Sequence, residues 1–370
     1  MEESPDSRHS LSFAIAFYCA IYYFDKLMKL DKKMLTGLTL QELEQFAESI
    51  GEKKFRGRQL FSWIYEKRAT GFGDMTDLGK GLREKLNAVA ALGCLQLARR
   101  TQSDASNTVK YLFQLQDNHA IESVLIHESG RRTCCLSTQA GCAFKCSFCA
   151  TGAMGFHRDL TAGEIVDQVL FIEREAGVEL TNVVLMGMGE PLQNYDAVIK
   201  ACRLLNHPDG LAIAGRHIVL STVGIVPAIY RFADEGHPFR LAISLHASTD
   251  EKRKALLPIG RRYPLAELMK AVRYYAQKAR QHPTFEYVLL AGINDSEQDA
   301  EDLVRLLNGL PCKINLIPYN AAIEKFSTPD AQAVDRFVQR LLPLHAPVSV
   351  RWSKGADIAA ACGQLAIRRS

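Results

Sequence analysis

The chain has 370 residues, 47% of them hydrophobic and 23% charged, an ordinary globular composition with length for a sizeable core. That length excludes one small domain and suits a barrel of about 220–250 residues with an accessory domain. The net charge of +4 permits an RNA partner without demanding one. Ten cysteines are present, five of them between 134 and 149. This clustering argues against a secreted disulfide framework and for metal or redox chemistry in a reducing compartment.

Residues 1–33 include an apolar run, Leu11 to Phe24. It is short for a membrane span, which needs about 20 residues, and it lacks a small-residue cleavage site. It reads as a packing extension, a membrane-surface anchor, or translated sequence upstream of a truer start at Met28 or Met34. The first and last readings are preferred, and no function is assigned.

Residues 34–93 read as a helical module. Thr39 followed three residues later by Glu42 predicts a capping box, and Leu40, Leu43, Phe46 and Ile50 follow helical spacing. Lys53, Lys54, Arg56 and Arg58 lie beside Phe55, Phe61, Trp63 and Tyr65. Basic residues with interleaved aromatics suit RNA. The plainer reading, an amphipathic helix with core aromatics, is preferred for the rings. A short helix is expected over Thr76 to Leu86.

Residues 94–138 change period. Val109 to Leu115, Ala120 to Ile126 and Arg132 to Ser137 read as strands, with turns at Asp117-Asn118 and Ser129-Gly130. Beyond them strands alternate with helices. Strands are expected at Val183–Met188, His217–Ser221, Leu241–Leu245, Thr284–Leu290, Lys313–Ile317 and Val348–Trp352. Helices are expected near 161–176, 195–206, 225–235, 264–280, 296–308 and 330–342. Nearly continuous apolar runs such as Val183 to Met186 are how parallel strands buried on both faces read. The fold class is α/β, a partial parallel barrel, with chemistry gathered at the carboxyl ends of its strands.

Cys142, Cys146 and Cys149 are spaced CxxxCxxC. Thiolates are soft ligands that select iron–sulfur clusters, zinc or Cu(I). Three of them on a cubane leave one iron free. A zinc site completed by a distant His or Asp, and buried cysteines without ligand duty, are the plainer alternatives. Gly187-Met188-Gly189-Glu190 follows a buried strand and offers a carboxylate to an ammonium group. Ser221, Ser244, Leu245, His246, Asn315 and Asn320 stand at other strand ends, where capping is the competing role. Cys19, Cys94, Cys134, Cys202 and Cys312 read as small buried hydrophobes.

The triad resembles the radical S-adenosylmethionine (SAM) superfamily, and the MGE of residues 188–190 resembles its GGE element with methionine in place of the first glycine. Thr133 to Cys142, Cys149 to Phe156, MGMGEPL, SLHA, NLIPYN and GADIAAACGQL together resemble the RlmN/Cfr family of adenosine RNA methyltransferases over residues 36–366. Asp159 and Ser248 depart from residues usual in that family. The resemblance implies a radical SAM (β/α)6 core over 131–352, an N-terminal helical RNA-binding domain over 34–93, an antiparallel β extension over 94–130, and a segment 353–370 carrying a methyl-accepting cysteine. It implies a [4Fe–4S] cluster on Cys142, Cys146 and Cys149. Two SAM molecules per turnover are implied, with contacts to Gly189, Glu190, Ser221, Ser244, Leu245, His246 and Asn320. One SAM would methylate Cys362. The second would yield a deoxyadenosyl radical that takes a hydrogen from methyl-Cys362, and the carbon radical would attack adenine carbon 2. Cys135 would resolve the adduct through a transient disulfide. Glu122 matches the family's acid/base glutamate, with a solvent-facing strand glutamate as the equal alternative. The implied substrates are 23S rRNA and tRNA. A flavodoxin-like electron donor, a cytoplasmic monomer and no membrane are expected. The competing functions are carbon-8 methylation of the same adenosine and a non-catalytic Fe–S or zinc RNA-binding protein.

Overall fold

The computed structural model describes residues 32–279 and 281–367. Cys19 and the run Leu11 to Phe24 lie outside them. Two compact units divide between Gly93 and Cys94.

In the first unit, β1 (Lys33–Met34) precedes α1 (Leu40–Ser49). The capping box forms: Glu42 N–H donates to Thr39 Oγ1 at 3.2 Å and Thr39 N–H to Glu42 Oε2 at 2.7 Å. Such a cap is worth about 1 kcal/mol. α2 (Phe55–Phe61) runs into a π-helical turn, Ser62–Glu66. Phe61 and Tyr65 are core, whereas Phe55 is 48% exposed and Trp63 half-buried. Lys54 and Arg58 are not merely solvated, because both pair with Glu44. The next helix, α3 (Lys80–Val89), starts later than the expected Thr76. Residues 75–78 form a turn closed by Leu78 N–H to Met75 O, which buries Met75 and Leu78. β2 (Ala90–Ala91) pairs in parallel with β1.

The second unit begins with an antiparallel ribbon, β3 (Gln96–Gln102), β4 (Thr108–Gln114), β5 (Ala120–Glu128) and β6 (Arg131–Cys135). Asn118, Ser129 and Gly130 have positive φ, so the turns fall where Asp117-Asn118 and Ser129-Gly130 predict them. β6 then pairs in parallel with β9 (Asn182–Leu185) and changes the sheet's character. Between them lie β7 (Gln139–Gly141), α4 (Ala150–Met154), β8 (Phe156–Asp159) and α5 (Ala162–Ala176).

The parallel run continues through β9 (Asn182–Leu185), α6 (Tyr195–Asn206), β10 (Ile218–Thr222), α7 (Val226–Glu235), β11 (Arg240–Ser244), α8 (Asp250–Leu256), α9 (Leu265–Ala279), β12 (Thr284–Leu289), α10 (Glu297–Leu307), β13 (Lys313–Pro318), α11 (Ala331–Leu341) and β14 (Val348–Val350). The sheet order is β14-β13-β12-β11-β10-β9-β6-β5-β4-β3, with β14 and β3 as unjoined edges. This is a partial parallel barrel with an antiparallel extension. The central strands are apolar on both faces: Leu241, Ala242 and Ile243 are all fully buried. No described helix is long and apolar enough to cross a membrane.

Two close approaches fix the loops above the barrel. β9 ends at Leu185, short of the expected Met188, because the chain folds against the segment after β6. Gly187 N–H donates to Leu136 O and Met188 O accepts from Thr138 and Gln139 N–H. A Cβ on Gly187 would sit 2.6 Å from Leu136 O. Likewise Gly141, at φ +77°, would place a Cβ 1.9 Å from Gly155 O, across the β7–β8 pair. Gly141→Ala is therefore expected to cost about 3 kcal/mol or more, from backbone strain plus the clash. Urea unfolding of the cluster-free protein measures it; an unchanged midpoint would refute the close approach.

Candidate active site

The carboxyl ends of the parallel strands surround a cleft of about 140 Å³. Its lining includes Cys142, Cys146 and Cys149 from the loop after β7, and Gly189 and Glu190 from the loop after β9. Ser221, Ser244, His246, Glu286, Asn320 and Cys362 complete its walls. A larger depression of about 310 Å³, lined by Arg273, His282 and Pro311 among others, holds none of the residues singled out from the sequence.

Glu190 is 2% exposed. Its carboxyl accepts from Val223 N–H at 2.8 Å and Leu192 N–H at 3.0 Å, and its own N–H donates to Gln139 Oε1. Burial nonetheless pushes it up to about 7. His246 is buried with φ +55°. Burial, then the Arg253 charge, pushes it down to about 3, so the ring is neutral. Its Nδ1 accepts from Val288 N–H at 3.0 Å, which leaves the proton on Nε2. Ser221 and Ser244 hydroxyls lie 3.2 Å apart. Asn320 Nδ2 donates to Ser353 Oγ at 2.8 Å and approaches Cys362 O at 3.5 Å. Leu245 is fully buried and outside the lining; its N–H donates to Glu286 O.

Among the cysteines, burial pushes Cys142 up to about 12 and raises Cys146 as well. Cys362 opens onto the cleft and counts as exposed, yet protein surrounds its sulfur closely enough that burial, then Glu286, raises it to about 11. Cys135 lies outside the lining, in register between Val124 and Val184 on the neighbouring strands. It is near enough to Cys362 for that charge to raise it, after burial. Both thiols are free. Cys94, Cys134, Cys202 and Cys312 are buried.

Glu122 is 2% exposed, so the solvent-facing alternative is incorrect. Strand β5 turns this side chain inward, beneath the C-terminal segment. One oxygen pairs with Lys110 Nζ at 3.0 Å and the other accepts from Ala366 N–H at 3.0 Å. Lys110 Nζ also donates to Ala359 O at 3.1 Å. One buried ion pair thus grips both ends of the loop that carries Cys362. Glu122 N–H also donates to Met188 Sδ at 3.4 Å, which gives the methionine in place of glycine a packing role.

The radical SAM superfamily model matches residues 136–307, and the ribosomal RNA large subunit methyltransferase N-terminal domain matches residues 33–92. The chain is 48% identical over 332 residues to the probable dual-specificity RNA methyltransferase RlmN of Caldanaerobacter subterraneus, covering 90% of this chain and 97% of that one. It is 46% identical to the dual-specificity RNA methyltransferase RlmN of Geobacter sulfurreducens, covering 90% and 91%. A crystal structure of a radical SAM methyltransferase from Sphaerobacter thermophilus superposes with a TM-score of 0.87 at 46% identity, covering 90% and 99%. The chain belongs to the RlmN family of radical SAM RNA methyltransferases.

An RlmN-family chain works with a [4Fe–4S] cluster and SAM. The donor set here fits them. Cys142, Cys146 and Cys149 line one cleft, and three thiolates on a cubane leave one iron open for SAM. Two residues of the site escaped the sequence reading. Glu286, on β12, is 4% exposed and keeps Oε2 without a partner in the cleft wall. Arg253, on α8, is fully buried. The only available signal was a charge inside an apolar strand and a basic residue in a helix that the expected elements omitted.

Two outcomes follow for this RlmN-family site. The folded Glu190 carboxyl holds its proton to about 7 against an ordinary 4.5. Its contribution is therefore complete below 4.5 and lost as pH rises through 7, about 3 kcal/mol in all. Urea unfolding of the cluster-free protein at pH 5 and pH 8 should show this difference, and Glu190→Gln should remove it. Lys110→Met leaves Glu122 buried and unpaired, a cost of about 3–5 kcal/mol. Hydrogen exchange over residues 356–367 should speed up by about tenfold or more, and Glu122→Gln, which still accepts from Ala366, should do less. Unchanged exchange in Lys110→Met would show that the pair does not hold the loop.

Proposed function

We propose that the chain methylates carbon 2 of an adenosine in 23S rRNA, and adenosine in tRNA, through a methyl-cysteine intermediate on Cys362. The observation that carries this reading is Cys362 in the wall of the cleft that also holds Cys142, Cys146 and Cys149, with Cys135 close behind. The N-terminal domain match and the dual specificity named for the relatives support two RNA substrates and favour carbon 2 over carbon 8.

Cys142, Cys146 and Cys149 would hold a [4Fe–4S] cluster, which would supply one-electron reduction of SAM. Everything else falls to the chain. Glu190 accepts from the SAM ammonium group, and that positive charge offsets the burial that raises its pKa. His246 Nε2–H, the Ser221 and Ser244 hydroxyls, Gly189, the Leu245 backbone and Asn320 position the rest of SAM. Cys362 Sγ would lose its thiol proton and take the methyl group of one SAM by displacement, with S-adenosylhomocysteine leaving. Carbon 2 of adenine has no lone pair, so polar transfer cannot reach it, and covalent catalysis divides the problem. Cys135, as its thiolate, would release the product by attacking Cys362 Sγ: the disulfide forms, the bond from Cys362 Sγ to the methylene on adenine breaks with its electron pair going to carbon, and that carbon takes a proton to become the methyl group. Glu122 is the acid/base candidate on the family match, and it reaches the base only when the loop of Ala366 moves. An adenosine in folded RNA must be exposed or flipped to reach Cys362. The N-terminal unit helps hold the RNA, and a flavodoxin-like protein supplies electrons to a cytoplasmic monomer.

Anaerobically reconstituted protein with SAM, reductant and 23S rRNA or tRNA, followed by nucleoside mass spectrometry, tests this. The expected product is 2-methyladenosine, absent with Cys362→Ala, while Cys135→Ala should accumulate a covalent protein–RNA adduct. An 8-methyladenosine peak would move the chemistry to carbon 8. Deoxyadenosine without methylated base would sink the RNA substrates.

A further inference from the structure

Arg253 presents an unresolved cost. It is fully buried on α8, and its hydrogen bonds go only to carbonyls: Nη2 to Val223 O at 2.6 Å and Nη1 to Tyr263 O at 3.4 Å. Its Nε has no partner. Burial pushes its pKa down to about 10, which still leaves it charged at neutral pH. Two glycines make room for it, since a Cβ on Gly224 or Gly260 would lie 3.1 or 3.3 Å from its Nη atoms. A buried cation with no carboxylate partner is strongly unfavourable unless another charge offsets it.

The surroundings name that charge. Val223, whose carbonyl holds Nη2, lines the same cleft as Cys146. Leu256 O, at the end of the same helix, accepts from Ser147 N–H at 2.9 Å, next to Cys146. The nearby charges that act on Arg253 are Cys146 first and then Asp250, whose carboxyl makes no hydrogen bond to the guanidinium and instead accepts from Leu265 N–H. Three thiolates outweigh the 2+ core of an oxidised [4Fe–4S] cluster by one negative charge, and the electron that reduces it adds another.

We propose that Arg253 is the buried counter-charge of the cluster, holding it in place and favouring its reduced form. The inference rests on assigning Cys142, Cys146 and Cys149 to the cluster. Arg253 would act through the cluster's field and not on the substrate, so it is a positioning residue.

The deciding measurement is the cluster's midpoint potential, followed by electron paramagnetic resonance during a redox titration, with iron release to a chelator as a second readout. In Arg253→Met the potential should move negative and iron should leave several-fold faster. Arg253→Lys should restore most of both. If Arg253→Met fails to fold, Arg253→Gln keeps donors for the carbonyls and removes only the charge, so it carries the same test. A wild-type potential in the folded charge-free variant would overturn the proposal and leave Arg253 as a brace for two carbonyls. Cys146→Ser separates the underlying assignment: full cluster loading there would refute the ligand set itself, whatever Arg253 does.

Discussion

Parallel pairing constrains everything in the larger unit. Seven strands running the same way place all their carboxyl ends on one rim. Each crossover helix returns the chain to the far side, so every loop on that rim starts from a strand end. The cysteine loop, the MGMGE turn and the SLH segment are distant in sequence and share a cleft for that reason. Strand register refines the placement: Ser244, Glu286, Asn315 and Ser349 are successive partners across β11 to β14. Ser349 Oγ donates to Asn315 Oδ1 and Asn315 Nδ2 to Glu286 Oε1, so three of the four form one hydrogen-bonded row that meets the cleft at Glu286.

The rim gathers groups that an apolar interior disfavours. Glu190, Glu286, His246 and Arg253 are all at least nine-tenths buried. The imidazole escapes the cost by staying neutral, and Glu190 lowers it by accepting backbone N–H groups. Glu286 and Arg253 each keep one polar atom unpartnered. Such atoms are rare in folded proteins; among the described residues Arg83, Thr138 and Asp167 hold the others, outside the cleft lining.

Periodicity made the barrel legible. The six expected strands and six expected helices of the parallel run lie within three residues of those formed, because apolar strands and amphipathic helices differ in period. Strand β3 was not legible: Gln96 to Gln102 is exposed along nearly its whole length and carries no apolar alternation. Helix α8 was hidden because five of its seven residues are charged. The triad Cys142, Cys146 and Cys149 was legible by its spacing, whereas Cys135 and Cys362 stood out only through the family resemblance. Glu122 was not, since a glutamate between apolar strand residues reads equally as outward or buried, and only its Lys110 partner on β4 decides the matter.

The tethers of the C-terminal segment also bear on folding order. Its anchors at Asp357, Ala359 and Ala366 reach back 254, 249 and 244 residues to Ser103, Lys110 and Glu122. Contacts across such separations close large loops and come late. During synthesis the ribbon that receives them is made long before the segment that fills it. The loop bearing Cys362 therefore docks late, onto strands that precede it by more than two hundred residues.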